Sequence, residues 1–255
     1  MNELKVAERA CVEAGKIALK YFRGKFNVRL KGAVDLVTDA DIDCEKKIKS
    51  VIASEFPNHG FIGEEEGAFG SKESFWVIDP IDGTTNFAHG VDYFAHSIAL
   101  VKNSEIVCGA VFNPVLKKLY SAQAGKGAFL NGKKISVSKA PMLRDSLLIT
   151  GFPYNIPAYD EKTLRAVGSL KKQCQGVRRF GAASLDFCSV AEGICDGYFE
   201  YDLRPWDVAA GILIARESGG KVTDINGAEA TINSGHFLVS NGLLHEKILE
   251  HLEAP

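Results

Sequence analysis

Hydrophobic positions in the first half of the chain follow helical spacing in two segments and extended spacing in several others. Apolar residues recur every three or four positions in the two segments, which predicts amphipathic helices over residues 3–23 and 41–56. Short apolar runs predict strands over residues 26–30, 34–38, 61–62, 75–78, 94–102, 105–113 and 117–123. Turn-forming pairs separate the last three strands, so they are predicted to form a meander.

The second half changes to an alternation of strand-like and helix-like segments. The predicted strands are 146–150, 176–180, 196–201, 220–224 and 236–240, and the predicted helices are 158–173, 183–193, 206–217 and 242–252. Such alternation is typical of sheets covered by helices. The chain is therefore predicted to contain an α+β lobe over residues 1–140 and an α/β lobe over residues 141–255.

Composition narrows the class of protein. The 255 residues are 46% hydrophobic and 24% charged, as in ordinary globular proteins. The formal net charge of −2 gives no support for binding to nucleic acid or to an anionic membrane. The sequence shows no secretory signal pattern and no apolar run near the ~20 residues of a membrane-spanning helix. Scattered cysteines without a C-x-x-C pair favour reduced thiols, so we expect a cytoplasmic protein.

Two short motifs resemble ligand-binding loops and fail in detail. Residues 127–134, GAFLNGKK, match the start of a phosphate-binding P-loop, but Lys134 stands where Ser or Thr is required. The Asn131-Gly132 pair instead predicts a hairpin turn between short strands. Residues 39–43, DADID, resemble the start of a calcium-binding EF-hand, but the later glycine and glutamate of that loop are missing.

Carboxylates recur at four junctions between an apolar segment and a turn or a helix start. The four segments are DLVTDAD over residues 35–41, GEEEG over 63–67, DPIDGT over 79–84 and WDVAAG over 206–211. Each segment alone has an ordinary explanation as a helix cap, a solvated loop or a turn. Together they suggest one shared acidic site, and the DPIDGT segment is the most informative of the four.

The DPIDGT segment suits a place where several oxygens point at one target. Pro80 fixes the backbone between Asp79 and Asp82, and the following glycine removes side-chain bulk. The N–H groups of Gly83 and Thr84 can then face an anion at the start of the next turn or helix. We therefore expect acidic oxygens and a bound anion to meet here.

Mutual repulsion of the carboxylates favours a divalent cation as their partner. Two carboxylates about 4 Å apart repel by about 4 kcal/mol at an effective dielectric constant of about 20, so several cannot stay ionised without compensation. The four segments contain no histidine or cysteine, and an oxygen-only set favours Mg²⁺, with Mn²⁺ or Ca²⁺ as competitors, over Zn²⁺. Magnesium beside an anion-binding turn predicts phosphate chemistry, in which two cations hold the attacking and leaving oxygens.

With these motifs in place, the sequence resembles the inositol monophosphatase family of magnesium-dependent, lithium-sensitive phosphatases. The matching stretches are DLVTDAD, GEEEG, WVIDPIDGTTNF and PWDVAAGILIARESGG, supported by GKGAFLNGKK, RRFGAASLDFCSVAEG and DGYFE. The resemblance implies a layered α-β-α-β-α sandwich of the sugar phosphatase (inositol monophosphatase/fructose-1,6-bisphosphatase) type, and a homodimer. It also implies two or three Mg²⁺ per subunit, Mn²⁺ as a substitute, and inhibition by Ca²⁺ and Li⁺.

The resemblance also implies roles for individual residues. The implied ligands of a first metal are Glu64, Asp79 and the Ile81 carbonyl; those of a second are Asp79, Asp82 and Asp207, with Glu64 also at a weaker third site. The implied catalytic residues are Asp41, Thr84 and Glu64, the first two orienting or activating water. The implied substrate contacts are the Gly83 and Thr84 amides for phosphate, Asp82, Ala183 and Glu200 for hydroxyls, and Lys31 at the mouth of the site. An ordinary lysine in a hairpin turn is the alternative for Lys31.

One stretch departs from the family pattern. Residues 89–93, HGVDY, lack the Gly-Phe-Pro that the family often shows after the main motif. His96 follows and is interpreted as a packed strand histidine rather than a catalyst. The departure concerns the edge of the pocket and leaves the predicted metal ligands in place.

The predicted substrate is a sugar or polyol phosphate, first of all myo-inositol 1-phosphate. Family relatives cleave fructose 1,6-bisphosphate, 3′-phosphoadenosine 5′-phosphate, NADP or histidinol phosphate, and residues 151–158 are expected to help decide among them. A hypothesis of another class is a protein that contacts RNA polymerase or a ribosomal-RNA transcription complex. Lys171-Lys172 and Arg178-Arg179 would then supply a basic contact surface, with solvated surface charge as the alternative.

Overall fold

The computed structural model describes residues 2–24, 27–30, 36–153 and 157–252. Its helices are α1 (Glu3–Tyr21), α2 (Asp39–Ala53), α3 (Thr84–Ala88), α4 (Pro157–Leu170), α5 (Ala183–Ala191), α6 (Pro205–Glu217) and α7 (His245–Leu249), with a 3₁₀ helix at Leu143–Asp145. Its first ten strands are β1 (Val28–Leu30), β2 (Leu36–Thr38), β3 (Gly60–Gly63), β4 (Gly67–Phe69), β5 (Ser74–Asp82), β6 (Ala95–Lys102), β7 (Glu105–Asn113), β8 (Lys118–Gln123), β9 (Ala128–Leu130) and β10 (Lys133–Lys134). The later strands are β11 (Leu147–Thr150), β12 (Gly176–Arg178), β13 (Gly197–Glu200), β14 (Lys221–Thr223) and β15 (Phe237–Ser240).

Two large sheets organise these strands. The eight-stranded sheet has the order β10-β9-β8-β7-β6-β5-β3-β4 and is antiparallel except between β3 and β5. The five-stranded sheet has the order β12-β11-β13-β15-β14, with β11 parallel to both of its neighbours. The short strands β1 and β2 form a separate hairpin. The predicted meander is present as β6, β7 and β8.

Four hydrophobic cores separate five layers. The first core lies between α1 and α2 and one face of the eight-stranded sheet, and the second between the other face and α5 and α6. The third lies between those two helices and the five-stranded sheet, whose far face packs on α4 and α7 in the fourth. The predicted α-β-α-β-α sandwich is confirmed, while the division into two lobes at residue 140 stays a prediction.

Helix α6 belongs to two cores at once. Its Ala210 and Leu213 pack in the core shared with the eight-stranded sheet, and its Val208 and Ile212 pack in the core shared with the five-stranded sheet. Contact with β7 is close, because a Cβ atom added at Gly109 would come 3.0 Å from the Cα of Ala210. A helix covered on both sides carries apolar residues all around, as the sequence of α6 does.

Strand β5 continues to Asp82, beyond the strand that the sequence predicted. A bulge makes this continuation feasible: Asp79 pairs with Ser97 and Asp82 pairs with Ala95, so three steps along β5 match two along β6. Pro80 is tolerated there because a residue in a bulge need not donate a hydrogen bond to the neighbouring strand. The DPID residues therefore belong to the central sheet rather than to a loop.

Several element ends differ from the predicted ones. Helix α2 begins at Asp39 because Thr38 and Asp41 cap each other: the backbone N–H and the hydroxyl of Thr38 donate to Asp41 Oδ2 at 2.8 and 2.5 Å. Helix α7 is shorter than predicted, since Asn241 Oδ1 accepts the N–H groups of two following residues and closes a turn. Strand β4 and helix α3 were not predicted.

The chain turns at Asn131-Gly132 as expected. Both residues have positive φ angles, 49° and 78°, and Leu130 pairs with Lys133 across the turn. The P-loop interpretation therefore has no structural basis at this hairpin. None of the helices in the described ranges has the length and apolar character that crossing a bilayer requires.

Candidate active site

One cavity between the ends of the two sheets gathers most of the predicted site residues. Those that line it are Glu64, Asp79, Ile81, Asp82, Gly83, Thr84, Ala183, Glu200 and Asp207. Asp41 lies directly behind this lining, because the Thr84 hydroxyl is 3.3 Å from Asp41 Oδ1. The predicted Lys31 lies outside the described residues. Three acidic segments thus reach one cavity, and the remaining one supports it.

Asp79 is the most enclosed carboxylate of the cavity. Its side chain on β5 is only 2% exposed, and its Oδ1 atom has no hydrogen-bond partner in the described part of the chain. Burial raises the pKa of Asp79 well above its ordinary value, and the charges of Glu64, Asp82 and Asp207 raise it further. An anion in this position needs a compensating positive charge.

Asp82 is held by the start of α5. The N–H groups of Ala183 and Ser184 donate to its two oxygens at 3.1 and 2.7 Å, and the Ser184 hydroxyl donates at 2.5 Å. Burial raises the pKa of Asp82 to about 6, while these hydrogen bonds favour the charged form and limit the rise. Ala183 was predicted as a substrate contact, and Ser184 was missed.

Asp207 reaches the cavity from the first turn of α6. Its carboxylate accepts the backbone N–H of Arg204 at 2.7 Å, as a residue three positions into a helix often does. Burial raises the pKa of Asp207 well above the ordinary range, and the neighbouring Asp82 and Glu64 add to the rise, whereas the Arg204 hydrogen bond opposes it. The approach of α6 to the central sheet therefore brings this carboxylate toward those of the DPIDGT segment.

Thr84 on the wall of the cavity contacts Asp41, which lies behind it. The Thr84 hydroxyl lies 3.0 Å from the Ile81 carbonyl and 3.3 Å from Asp41 Oδ1, and its single proton can be donated to one of them at a time. Burial raises the pKa of Asp41 to about 7, although two hydrogen bonds from Thr38 oppose this. A carboxylate of that pKa can accept a proton near neutral pH.

The turn that carries Glu64 is held by a pair of charged residues that the sequence analysis missed. Glu45 on α2 is fully buried, accepts the N–H groups of Glu65 and Glu66 at 2.9 and 3.1 Å, and pairs with Lys49 at 2.5 Å. A signal was present, because two opposite charges four positions apart interrupt the buried face of an amphipathic helix. Glu45 and Lys49 on α2 thus hold the backbone of the turn that carries Glu64.

The far end of the cavity is built around Glu200. The Tyr198 hydroxyl donates to Glu200 Oε2 at 2.6 Å, and the carboxylate lies so close to Gly151 that a side chain there would overlap it. Burial raises the pKa of Glu200 to about 7, whereas the Tyr198 hydrogen bond and the charge of Arg179 lower it. Arg179 also lines the cavity and had been assigned by the sequence only to a basic surface.

Gly83 occupies a position that only glycine suits. Its φ angle is +86°, and a Cβ atom would come 3.1 Å from the Gly181 carbonyl and 3.2 Å from the Tyr93 carbonyl. Helix α3 begins at the next residue. The DPIDGT backbone is therefore fixed against the segment that precedes α5.

The donor set fits divalent cations bound through oxygen. Asp79 Oδ1 has no hydrogen-bond partner among the described residues, and the surrounding carboxylates raise one another's pKa values, so bound positive charge would stabilise the ionised cluster. In the described ranges, no three acidic, histidine or cysteine side chains are yet placed close enough together to hold a metal ion. Existing hydrogen bonds hold Asp82 and Asp207, so we expect both side chains to adjust when a cation binds.

The sequence profile of the inositol monophosphatase family matches residues 2–254, almost the full chain. This chain belongs to the inositol monophosphatase family. The inositol-1-monophosphatase of Caulobacter vibrioides is 41% identical over 235 residues, which cover 90% of this chain and 92% of that protein. The Nus factor SuhB of Pasteurella multocida is 38% identical over 98% of this chain and 95% of its own length.

A solved structure agrees with the family assignment. The extragenic suppressor protein suhB of Bartonella henselae superimposes with a TM-score of 0.94 at 36% identity and covers 98% of this chain and 97% of its own. The inositol monophosphatase family is generally metal-dependent and acts on small-molecule phosphates. Our protein is accordingly a phosphatase, a phosphoric monoester hydrolase.

The four basic residues of the alternative hypothesis are all exposed, and one of them also lines the cavity. Lys171 and Lys172 are exposed after α4, and Arg178 is exposed on β12. Arg179 is exposed as well, and it also lines the cavity of this inositol monophosphatase family member. Contact with a transcription complex stays a prediction, with three of its four proposed basic residues on the surface away from the cavity lining.

Proposed function

We propose that this protein is a magnesium-dependent phosphomonoesterase that hydrolyses inositol monophosphate or a related sugar phosphate. The observation that carries the proposal is the buried Asp79 carboxylate. One of its oxygens has no hydrogen-bond partner within the described ranges, and the charges of Glu64, Asp82 and Asp207 surround it. Such a set of oxygens suits Mg²⁺, with the Ile81 carbonyl as a further ligand. Bound magnesium would neutralise phosphoryl charge and make water a better nucleophile.

The chain's own residues would guide the attacking water. The Thr84 oxygen can accept a proton from water while its hydroxyl proton passes to Asp41 Oδ1, 3.3 Å away. Burial keeps the pKa of Asp41 at about 7, so this carboxylate can take up a proton in neutral solution. The backbone of Gly83 and Thr84 would bind the phosphate group, and the fixed conformation of Gly83 prepares that backbone.

The substrate's hydroxyl groups would lie toward the end of the cavity near Glu200. Tyr198 orients the Glu200 carboxylate, and Gly151 leaves room for it. Asp82 and Ala183 line the same cavity. Carboxylate acceptors suit a polyol, whose hydroxyl groups are donors.

A panel of phosphate esters tests the proposed function. Phosphate release would be measured with and without Mg²⁺ on myo-inositol 1-phosphate, fructose 1,6-bisphosphate, 3′-phosphoadenosine 5′-phosphate, NADP and histidinol phosphate. We expect magnesium-dependent turnover of inositol 1-phosphate. Absence of magnesium-dependent turnover on every ester of the panel would contradict the proposal.

The Thr84→Ala variant is expected to turn over about 10- to 100-fold more slowly, with a smaller change in KM, because the lost hydroxyl acts on the water rather than on the substrate. Thr84→Ser should retain most of the activity. Thr85→Ala is the matched control, since Thr85 is the next residue of α3 and does not line the cavity. Steady-state kinetics check the prediction, and an unchanged turnover number would remove Thr84 from the water-binding position.

Arg179 favours a second candidate, a phosphate ester that carries another anionic group. The guanidinium of Arg179 lines the same cavity and lies against Gly181. Within the described ranges it takes part in no hydrogen bond or ion pair, and its charge acts on the half-buried Glu200 and the buried Asp186. A cation so placed suits a bisphosphate such as fructose 1,6-bisphosphate.

Arg179→Gln should reduce kcat/KM for fructose 1,6-bisphosphate by about tenfold or more and leave inositol 1-phosphate nearly unaffected, since only the former gains from a second ion pair. Arg178→Gln is the matched control, because Arg178 is exposed on β12 and donates to the carbonyl of Val177. Equal losses on both substrates would argue that Arg179 only balances the charge of the cavity.

The proposal includes the finer properties expected from the family. Mg²⁺ would be bound as two or three ions per subunit, Mn²⁺ would substitute, and Li⁺ and Ca²⁺ would inhibit. We also propose a cytoplasmic homodimer. Enzyme assays with each cation and light scattering of the purified protein test these points; lithium resistance or a monomer would contradict them.

A further inference from the structure

His96 lies next to the bulge that presents the acidic residues of β5. Its side chain on β6 is fully buried, and its Nδ1 atom is 2.5 Å from the Pro80 carbonyl oxygen. The residues on either side of His96 pair with Asp79 and Asp82, whereas His96 itself has no paired residue on β5. The histidine therefore contacts the one part of β5 that departs from regular pairing.

The His96 hydrogen bond engages the Pro80 carbonyl, which lies outside the regular pairing of β5 with β6. Pro80 and Ile81 have no paired residues on β6. A buried carbonyl without a donor is costly, so a side-chain donor at this point stabilises the bulge. The imidazole ring supplies that donor across the two strands.

The direction of the hydrogen bond identifies which ring nitrogen of His96 carries a proton. A carbonyl oxygen only accepts, so the proton must be on Nδ1. Nε2 is buried and has no hydrogen-bond partner in the described part of the chain, as a neutral ring protonated at Nδ1 permits. Burial lowers the pKa of His96 to about 4, which keeps the ring neutral near pH 7.

Three constraints together fix the backbone between the two aspartates. The ring of Pro80 restricts its own φ angle, and the His96 hydrogen bond fixes the peptide plane between Pro80 and Ile81. The next carbonyl, that of Ile81, lies 3.0 Å from the Thr84 hydroxyl. These three constraints on the backbone determine how Asp79, the Ile81 carbonyl and Asp82 are oriented.

We propose that His96 is a positioning residue for the proposed magnesium site, which it serves by holding the Pro80 carbonyl and thereby the bulge that carries Asp79, the Ile81 carbonyl and Asp82. This inference rests on the proposed function, because it assigns the bulge to cation binding. His96 itself touches neither the cation nor the substrate. His96 instead fixes the positions of the three proposed ligands before the cation binds.

Isothermal titration of the purified protein with MgCl₂ tests this role without reference to turnover. His96→Leu should weaken magnesium binding by about 10- to 100-fold, as loss of a residue that orients metal ligands typically does. His96→Asn should bind within about threefold of the wild type, because the Asn Nδ2 group can donate from the position of Nδ1. The Mg²⁺ concentration for half-maximal activity should shift in the same order.

His245→Leu is the matched control. His245 is also fully buried, but it lies at the start of α7 and bonds to Ser240 and Thr223, in the five-stranded sheet. Its replacement should lower stability and leave magnesium affinity unchanged. Equal weakening in both leucine variants, or wild-type affinity in His96→Leu, would overturn the inference.

A measurement on the wild-type protein decides the same point should His96→Leu not fold. Nitrogen NMR of protein labelled in histidine should show His96 as a neutral ring that carries its proton on Nδ1, slowly exchanging at pH 7. A proton on Nε2 would overturn the inference. Absence of magnesium binding by the wild type would instead overturn the proposed function, so the two failures can be told apart.

Discussion

Asp79→Asn should reduce turnover by about 100- to 1,000-fold at saturating Mg²⁺, because it removes a charge on which phosphoryl stabilisation would depend. The same substitution should raise the thermal midpoint of the metal-free protein. Asp79 lies among the charges of Glu64, Asp82 and Asp207, and an uncharged amide relieves their repulsion. Steady-state phosphate release and thermal unfolding in the presence of a chelator would measure both effects.

Asp145→Asn is the control for loss of one negative charge. Asp145 is exposed in the 3₁₀ helix before β11, away from the cavity lining. It should leave turnover and thermal midpoint nearly unchanged. Near-normal activity of Asp79→Asn would remove Asp79 from the metal site, and a lowered thermal midpoint would mean that its carboxylate is not under repulsion.

Removal of divalent cations should abolish activity, and added Mg²⁺ should restore it and raise the thermal midpoint. Binding to the folded state alone at 100 times Kd contributes about 2.7 kcal/mol to the free energy of unfolding. Activity assays and thermal unfolding after EDTA treatment and dialysis check this prediction. Full activity after exhaustive chelation would contradict the proposed function, whatever the behaviour of the variants.

Acidification should reduce the magnesium-induced stabilisation. The folded-state pKa of Asp82 is about 6, above its ordinary value, so the metal-free folded protein binds more protons than the unfolded chain as the pH falls through 6. The metal-free protein gains stability from this group on acidification, while protons compete with Mg²⁺ for the carboxylate. The difference between the two thermal midpoints should therefore shrink from pH 7 to pH 5.

The sequence predicted the chemistry of the cavity better than the backbone that builds it. Carboxylates at Glu64, Asp79, Asp82 and Asp207 were found from local patterns, since each stands beside an apolar segment. The continuation of β5 through Pro80 was missed, because a proline normally ends a central strand. Pro80 is accommodated in β5 because His96 on the neighbouring strand β6 donates a side-chain hydrogen bond to the Pro80 carbonyl.

Supporting residues were harder to find because their partners lie far along the chain. Glu45 on α2 bonds to the turn after β3, and Ser184 on α5 bonds to Asp82 on β5. The role of each residue depends on a contact that local spacing does not encode. Arg179 is exposed, as the sequence suggested, but only the fold shows that it also lines the cavity.

The double packing of α6 has a consequence for how mutations act on the enzyme. Asp207 stands in the first turn of a helix whose sides contribute to two separate cores. A cavity-creating substitution in either core would let the helix shift, and even a small shift would move one carboxylate away from the other three. Turnover therefore depends on the packing of both cores as well as on the residues that line the cavity.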